Sequence, residues 1–194
     1  MIKEKTLLVL ASASPRRKEL IEHLHREVVI EVSDIEEVIT KTEPSEVVCG
    51  LAVQKAECVA KRVQGNATVI GADTVVACDG KILGKPQDRE DAIRMLTMLS
   101  GRKHSVYTGV ALCRHVGGTL VTDSFYEETK VEFYPMSQQE IESYVDSGDP
   151  MDKAGAYGIQ SGAAIFVKAI EGDYNTVVGL PVSAVYQRLK VFEA

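Results

Sequence analysis

The run from Thr6 to Ala11 is apolar without alternation, and it passes directly into Ser12-Ala13-Ser14-Pro15-Arg16-Arg17. A strand with no polar face must be covered on both sides, a condition met by sheets flanked with helices. The following residues supply the first cover. Ser14 is a good N-cap residue, Pro15 suits the first helical position, and Leu20, Ile21 and Leu24 recur on one side of a helix expected over 16–25. A strand feeding a helix within a few residues predicts an α/β chain, with a mixed sheet and flanking helices.

The rest of the chain keeps that alternation. Val28 to Val32 reads as a second strand, and Pro44-Ser45 opens a long helix through Val63 that Gly65-Asn66 ends. A strand is expected from Thr68 to Cys78, interrupted at Gly71-Ala72-Asp73-Thr74, with Asp79-Gly80 turning it into Lys81-Ile82-Leu83. A helix over 86–99 and a long hairpin over 106–114 and 119–134 come next. Ser137 with Glu140 has the spacing of a capping box, for a helix ending near Val145. A glycine-rich stretch (153–162), a strand (165–170), a loop (173–179) and a closing helix (181–192) complete the reading. At 194 residues the chain suits a single domain over 1–194, built as two lobes around a cleft.

Charge narrows the partners. With 28 acidic and 22 basic residues the formal charge is −6, which disfavours stable nucleic-acid binding, since that needs a basic face to displace counterions. Any anion site must be a local cluster of Lys and Arg. The apolar run near the N-terminus is too short for a signal-peptide core or a membrane span, so a cytoplasmic protein is expected, with no membrane partner. Cys49, Cys58, Cys78 and Cys113 show no Cys-x-x-Cys spacing and read as buried free thiols of a reducing compartment.

Several residues fit the fold poorly and chemistry well. Arg16 and Arg17 at a helix N-terminus oppose the helix dipole, yet that end offers free N–H groups to an anion and Arg matches phosphate oxygens. Ser12, Ser14, Arg16 and Arg17 are therefore candidates for substrate binding. Asp73 lies inside an apolar strand, where a carboxylate must be paired, hydrogen-bonded or bound to a metal. One carboxylate of the run Asp34, Glu36 and Glu37, brought near Asp73, would complete an oxygen site for Mg²⁺ or Mn²⁺. Lys55 stands on the apolar side of its helix, and Lys85 follows a glycine just before another. Gln160 ends Lys153-Ala154-Gly155-Ala156-Tyr157-Gly158-Ile159-Gln160, where small residues allow a flat ligand close approach and the carboxamide can read a base edge. The P-loop and dinucleotide fingerprints are both missing from the sequence.

Taken together, Leu10-Ala11-Ser12-Ala13-Ser14-Pro15-Arg16-Arg17, Ile35-Glu36-Glu37, Leu51-Ala52-Val53-Gln54-Lys55-Ala56, Gly71-Ala72-Asp73-Thr74-Val75-Val76, Gly84-Lys85-Pro86, Leu99-Ser100-Gly101, Tyr107-Thr108-Gly109-Val110, Asp152-Lys153 through Gln160, and Val178-Gly179-Leu180-Pro181 resemble the Maf (septum formation protein) family of nucleotide pyrophosphatases. The resemblance runs from Leu10 to Pro181. It implies cleavage of a nucleoside triphosphate between its α- and β-phosphates, a divalent metal, a homodimer, and a fold like that of the inosine triphosphate pyrophosphatases. It places Ser12, Arg17, Glu37, Lys55, Asp73, Lys85 and Gln160 on the family's active-site positions, Asp73 on that of the base. Arg17, Thr74 and Gln160 fall where the family's branches differ, and here they resemble the dTTP/UTP branch. The chain departs from the family at His25-Arg26-Glu27, where a glycine is common, and at Ser161-Gly162-Ala163, where Gly-x-Gly is common.

Residue chemistry and resemblance agree on catalysis: Asp73 and Glu37 to hold the metal or take a proton, Lys55 and Lys85 to offset phosphate charge. A pyrophosphatase for methylated guanine triphosphates, a nucleotidyltransferase and a non-catalytic nucleotide-binding regulator of division are the competing readings.

Overall fold

The computed structural model describes residues 6–194, and the basic residues at the start of the chain lie outside them. The expected α/β class is found. Strand order along the sheet is β2-β1-β3-β5-β6-β7, with β4 on β3, and the pairing is mixed, parallel for β1 with β2 and β3 and antiparallel for β3 with β4. The strands are β1 (Leu7–Leu10), β2 (Val28–Ile30), β3 (Ala67–Cys78), β4 (Lys81–Leu83), β5 (Lys103–Val116), β6 (Thr119–Phe133) and β7 (Val167–Glu171). The helices are α1 (Pro15–Glu22), α2 (Pro44–Ala60), α3 (Arg89–Leu99), α4 (Gln138–Asp146), α5 (Tyr174–Val178) and α6 (Val182–Phe192).

The chain forms two compact units. The first comprises Met1–Asp73, Thr108–Glu127 and Gly179–Ala194; the second comprises Thr74–Tyr107 and Glu128–Val178. In the first, β1 is the predicted buried strand. Leu8, Val9 and Leu10 are all but inaccessible, and Ala11 N–H extends the ladder to the Ile70 carbonyl at 2.8 Å. Helix α1 stops short of the expected 16–25, and β2 is shorter than expected. Between them His25 adopts a left-handed backbone, φ 49°, a region that favours glycine.

Helix α2 lies unusually close to the sheet. Val48, Ala52, Ala56 and Val59 form its buried side, and small residues meet it: Gly71 of β3 and Gly109 of β5. A Cβ on Gly71 would collide with the Ala52 carbonyl, and one on Gly109 with the Val48 backbone. This accounts for a difference from the sequence reading. The glycine and aspartate do not interrupt β3, which runs unbroken through Gly71-Ala72-Asp73-Thr74. The glycine is there because the helix presses on it.

The second unit carries the expected turn chemistry. Asp79 and Gly80 both have positive φ (49° and 70°), as a two-residue I′ hairpin requires. The Ser137–Glu140 capping box opens α4 as anticipated. The stretch 149–166 folds into three short 3-10 turns, Asp149–Asp152, Ala154–Ala156 and Gly162–Phe166, so Ile165 precedes β7 rather than joining it. The expected loop at 173–179 contains helix α5, started by the Asp173 carboxylate accepting from Asn175 N–H at 3.0 Å. Such a local side-chain cap leaves no apolar period to read.

All four cysteines are free, but only Cys78 and Cys113 are buried, and Cys49 and Cys58 are partly exposed on α2. Among the described residues no helix is long and apolar enough to cross a membrane.

The close packing of α2 has an energetic signature. Gly109→Ala or Gly71→Ala is expected to destabilise the protein by at least about 3 kcal/mol, because backbone atoms block the new methyl. Gly50→Ala, on the same helix with open space around it, is expected to stabilise by about 1 kcal/mol. Denaturant melts of the three variants check the contrast.

Candidate active site

The first unit gathers most of the sequence-derived residues. Ser14 N-caps α1, its Oγ accepting from Arg17 N–H at 3.4 Å, and Ser12, almost fully buried, accepts from Ser14 N–H at 3.2 Å. No acidic residue occupies the first turn of α1, which begins instead with Pro15, Arg16 and Arg17. Arg17 turns back across the loop, its Nε donating to the Gly179 carbonyl at 2.8 Å and its Nη1 to Ser12 Oγ at 3.5 Å. Burial lowers the Arg17 pKa, the charge of Asp73 opposes that shift, Arg16 adds to it, and Glu37 opposes it. An arginine keeps its proton under such a shift, so the effect is a positive charge poorly solvated by water, beside a helix N-terminus.

Asp73 stands two residues after Gly71, on the same face of β3. Because α2 sits tightly on that glycine, Lys55, one residue before Ala56, reaches the strand. Its Nζ lies 2.5 Å from Asp73 Oδ1 and 2.8 Å from Glu37 Oε1. The Lys55 and Asp73 side chains are only 14% and 13% exposed, while Glu37 is 46% exposed. The choice among the acidic run is thereby made. Glu37 turns to Lys55, whereas Asp34 pairs with Arg62 at 3.2 Å and accepts from Cys58 Sγ at 3.5 Å. Two hard carboxylates converging on one ammonium are a donor set that also suits a divalent cation completed by phosphate and water oxygens. No group of three or more candidate metal-binding side chains occurs among the described residues.

The second unit carries Thr74, Lys85 and Gln160. Thr74 is half-buried, and Lys85 and Gln160 are exposed. The Lys85 loop is tied to the glycine-rich segment by Gly155 N–H donating to the Gly84 carbonyl at 2.9 Å. That segment is strained: Ala156, not a glycine, has φ 60°. A clasp at Asp149 restrains it. The Asp149 carboxylate accepts from Tyr144 Oη and Ser161 Oγ, both at 2.6 Å, and from Lys153 Nζ at 3.1 Å, while Tyr144 Oη accepts Gly158 N–H at 3.2 Å. Burial first, then these hydroxyl and lysine partners, set the Asp149 pKa, with a net lowering. The sequence marks Ser161 only as a departure from the family and gives Asp149 no role. Gly179 falls in the Val178-Gly179-Leu180-Pro181 motif, but the use of its carbonyl is not legible there, since a backbone acceptor leaves no residue signature.

Behind the same segment, His104 Nε2 is hydrogen-bonded to Tyr157 Oη at 2.8 Å, and its ring sits edge-on to Phe133 and Tyr157. Its Nδ1 is buried without a hydrogen-bond partner. Burial pushes the imidazole down from 6.5 to about 4.

The Maf-like protein family matches residues 7–192, and the chain belongs to that family. It is 53% identical to a dTTP/UTP pyrophosphatase of Agathobacter rectalis, over 94% of this chain and 96% of that protein. It is 49% identical to one of Carboxydothermus hydrogenoformans (94% and 97% covered) and 47% identical to one of Bacillus mycoides (96% of each). Among solved structures, a HAM1 protein from Coxiella burnetii aligns with TM-score 0.53 at 16% identity, covering 96% of this chain and all of that one. The Staphylococcus aureus Ham1 protein aligns with TM-score 0.53 at 14% identity, covering 96% and 99%. At those identities the likeness is one of fold.

His104 makes a pH prediction. Its folded pKa lies below its unfolded one, so the unfolded chain takes up a proton first. The stabilisation is whole above pH 6.5 and is lost as pH falls from 6.5 toward 4. The full shift corresponds to about 3 kcal/mol. Unfolding free energy measured from pH 7 to 4 is expected to fall more steeply for the wild type than for His104→Gln, by up to that amount.

Proposed function

We propose that this chain is a metal-dependent nucleoside triphosphate pyrophosphatase acting on dTTP and UTP, and on modified pyrimidine nucleotides of the same shape. Water attacks the α-phosphorus, the bond from that phosphorus to the bridging oxygen breaks, and a nucleoside monophosphate and pyrophosphate leave. The observation that carries this reading is the Lys55 ammonium bridging Asp73 and Glu37 beside the buried Arg17 guanidinium. The similarity to the dTTP/UTP pyrophosphatases of Agathobacter rectalis, Carboxydothermus hydrogenoformans and Bacillus mycoides supports it.

In this reading Asp73 takes the proton of the attacking water, and Lys55, fixed on its carboxylate, sets the direction of the oxygen that accepts it. The α1 N-terminus with Ser12, Ser14, Arg16 and Arg17 binds phosphate oxygens. Lys85 is assigned a phosphate contact, and Thr74 and Gln160 the recognition of the nucleoside. For these three the support is the family motif, joined for Lys85 and Gln160 by their exposure. Glu37 and Asp73 would hold Mg²⁺ or Mn²⁺, which supplies charge neutralisation to the triphosphate. We place the enzyme in the cytoplasm, consistent with four free thiols. It is read as one Maf-like domain over 1–194, active as a homodimer in clearing non-standard nucleotides.

A panel of nucleoside triphosphates tests the reading. Pyrophosphate release is expected from dTTP and UTP without any acceptor, and far more slowly from methylated guanine triphosphates. Asp73→Asn is expected to lower kcat by about 10²- to 10⁴-fold in a chain that still folds, checked by thermal melt. Wild-type turnover by folded Asp73→Asn would remove Asp73 from the base role.

A further inference from the structure

Glu37 sits on an unlikely support. Residues 31–43, between β2 and α2, are 13 in a row without helix or strand. Structureless connections of that length are uncommon in compact units and are usually functional. Burial does not fix this one at its centre, where Val38 and Ile39 are 57% and 62% exposed. A carboxylate on such a segment would not hold still against Lys55 unless something else restrained the backbone.

The restraint is a polar stripe along α2. Gln54, Cys58 and Arg62 follow at intervals of four, on one side of the helix and just past its end. Arg62 donates to the Val32 carbonyl at 3.0 Å and pairs with Asp34, and Cys58 donates to Asp34. Gln54 makes the most specific contact. Its Oε1 accepts Val38 N–H at 3.0 Å, and its Nε2 donates to the Val38 carbonyl at 2.8 Å. One carboxamide thus holds both backbone groups of a single residue, as a neighbouring strand would. The registers coincide: Gln54 grips the residue after Glu37, and Lys55, the residue after Gln54, takes the Glu37 carboxylate at 2.8 Å.

We infer that Gln54 is a positioning residue for the reaction, holding Glu37 in register with Lys55 and Asp73. The inference rests on the proposed function. It explains why a carboxamide stands here: glutamate has no donor for the Val38 carbonyl and would set a second carboxylate beside Glu37, and asparagine is one methylene too short. Gln54 touches no reacting atom; its effect passes through Glu37.

A double-mutant cycle tests this, with kcat and KM for dTTP measured on the wild type, Gln54→Ala, Glu37→Gln and the double variant, each checked by thermal melt. Alanine is the better helix former, so Gln54→Ala folds. Gln54→Ala is expected to lower kcat about ten- to hundredfold, the scale of a small misplacement of a catalytic group, with KM within about twofold. In the Glu37→Gln background the same change is expected to have almost no effect. Wild-type kcat in Gln54→Ala, or an equal loss in both backgrounds, overturns the inference while leaving the pyrophosphatase reading intact. Absence of pyrophosphate release by the wild type overturns that reading and this inference with it.

Discussion

The contact on which the site depends is the seating of α2 on Gly71 and Gly109. Neither glycine is there for a turn. Each removes a side chain so that Ala52, Ala56 and the Val48 backbone can come down onto the sheet. The helix then stands close enough for a lysine to span from its flank to Asp73 and Glu37 at hydrogen-bonding distance. A methyl group at either position would lift the helix, and Lys55 would lose its reach before anything in the chemistry changed. Core packing and ion pairing are thus one constraint. The small residues set a distance, and the charged residues use it.

Charge at the site is arranged against local preference. The first turn of α1 holds two arginines where acidic residues would favour the helix, and Asp73 is the one charged residue of its strand. Each is tolerable because the others are near: Asp73 offsets part of what burial does to Arg17, and Lys55 accompanies Asp73. In the second unit the Asp149 clasp and the His104–Tyr157 pair hold the segment that contains Gln160, whose Ala156 backbone is left-handed.

Much of this was legible in the sequence, and the misses share a cause. The apolar run of β1, the Ser14 cap, the Ser137–Glu140 box and the Asp79-Gly80 turn are local codes, and each was read within a few residues of its place. Arg17, Lys55 and Asp73 were conspicuous because they violate local codes. What escaped is non-local or carried by backbone. Gly71 suggested an interruption of β3 because the pressing helix lies elsewhere in the sequence. Helix α5 is fixed by one aspartate cap rather than a period, and Cys49 and Cys58 lie at the margin of α2 where apolar neighbours implied burial. Asp149 and the Val38 backbone carry no motif of their own, and the motif around Gly179 does not say which of its atoms is used.

The bond from Arg17 to the Gly179 carbonyl joins residues 162 apart, and Arg26 and Thr68 are likewise held by Glu193. On a ribosome, Arg17 emerges well before its acceptor, which follows it by 162 residues. The second unit ends at Val178, so all of its chain is available before the first unit has received its closing segment. A nascent chain therefore carries Arg17 without this acceptor until residue 179 has been made, and a chain cut short before that residue lacks the carbonyl that holds the guanidinium in place.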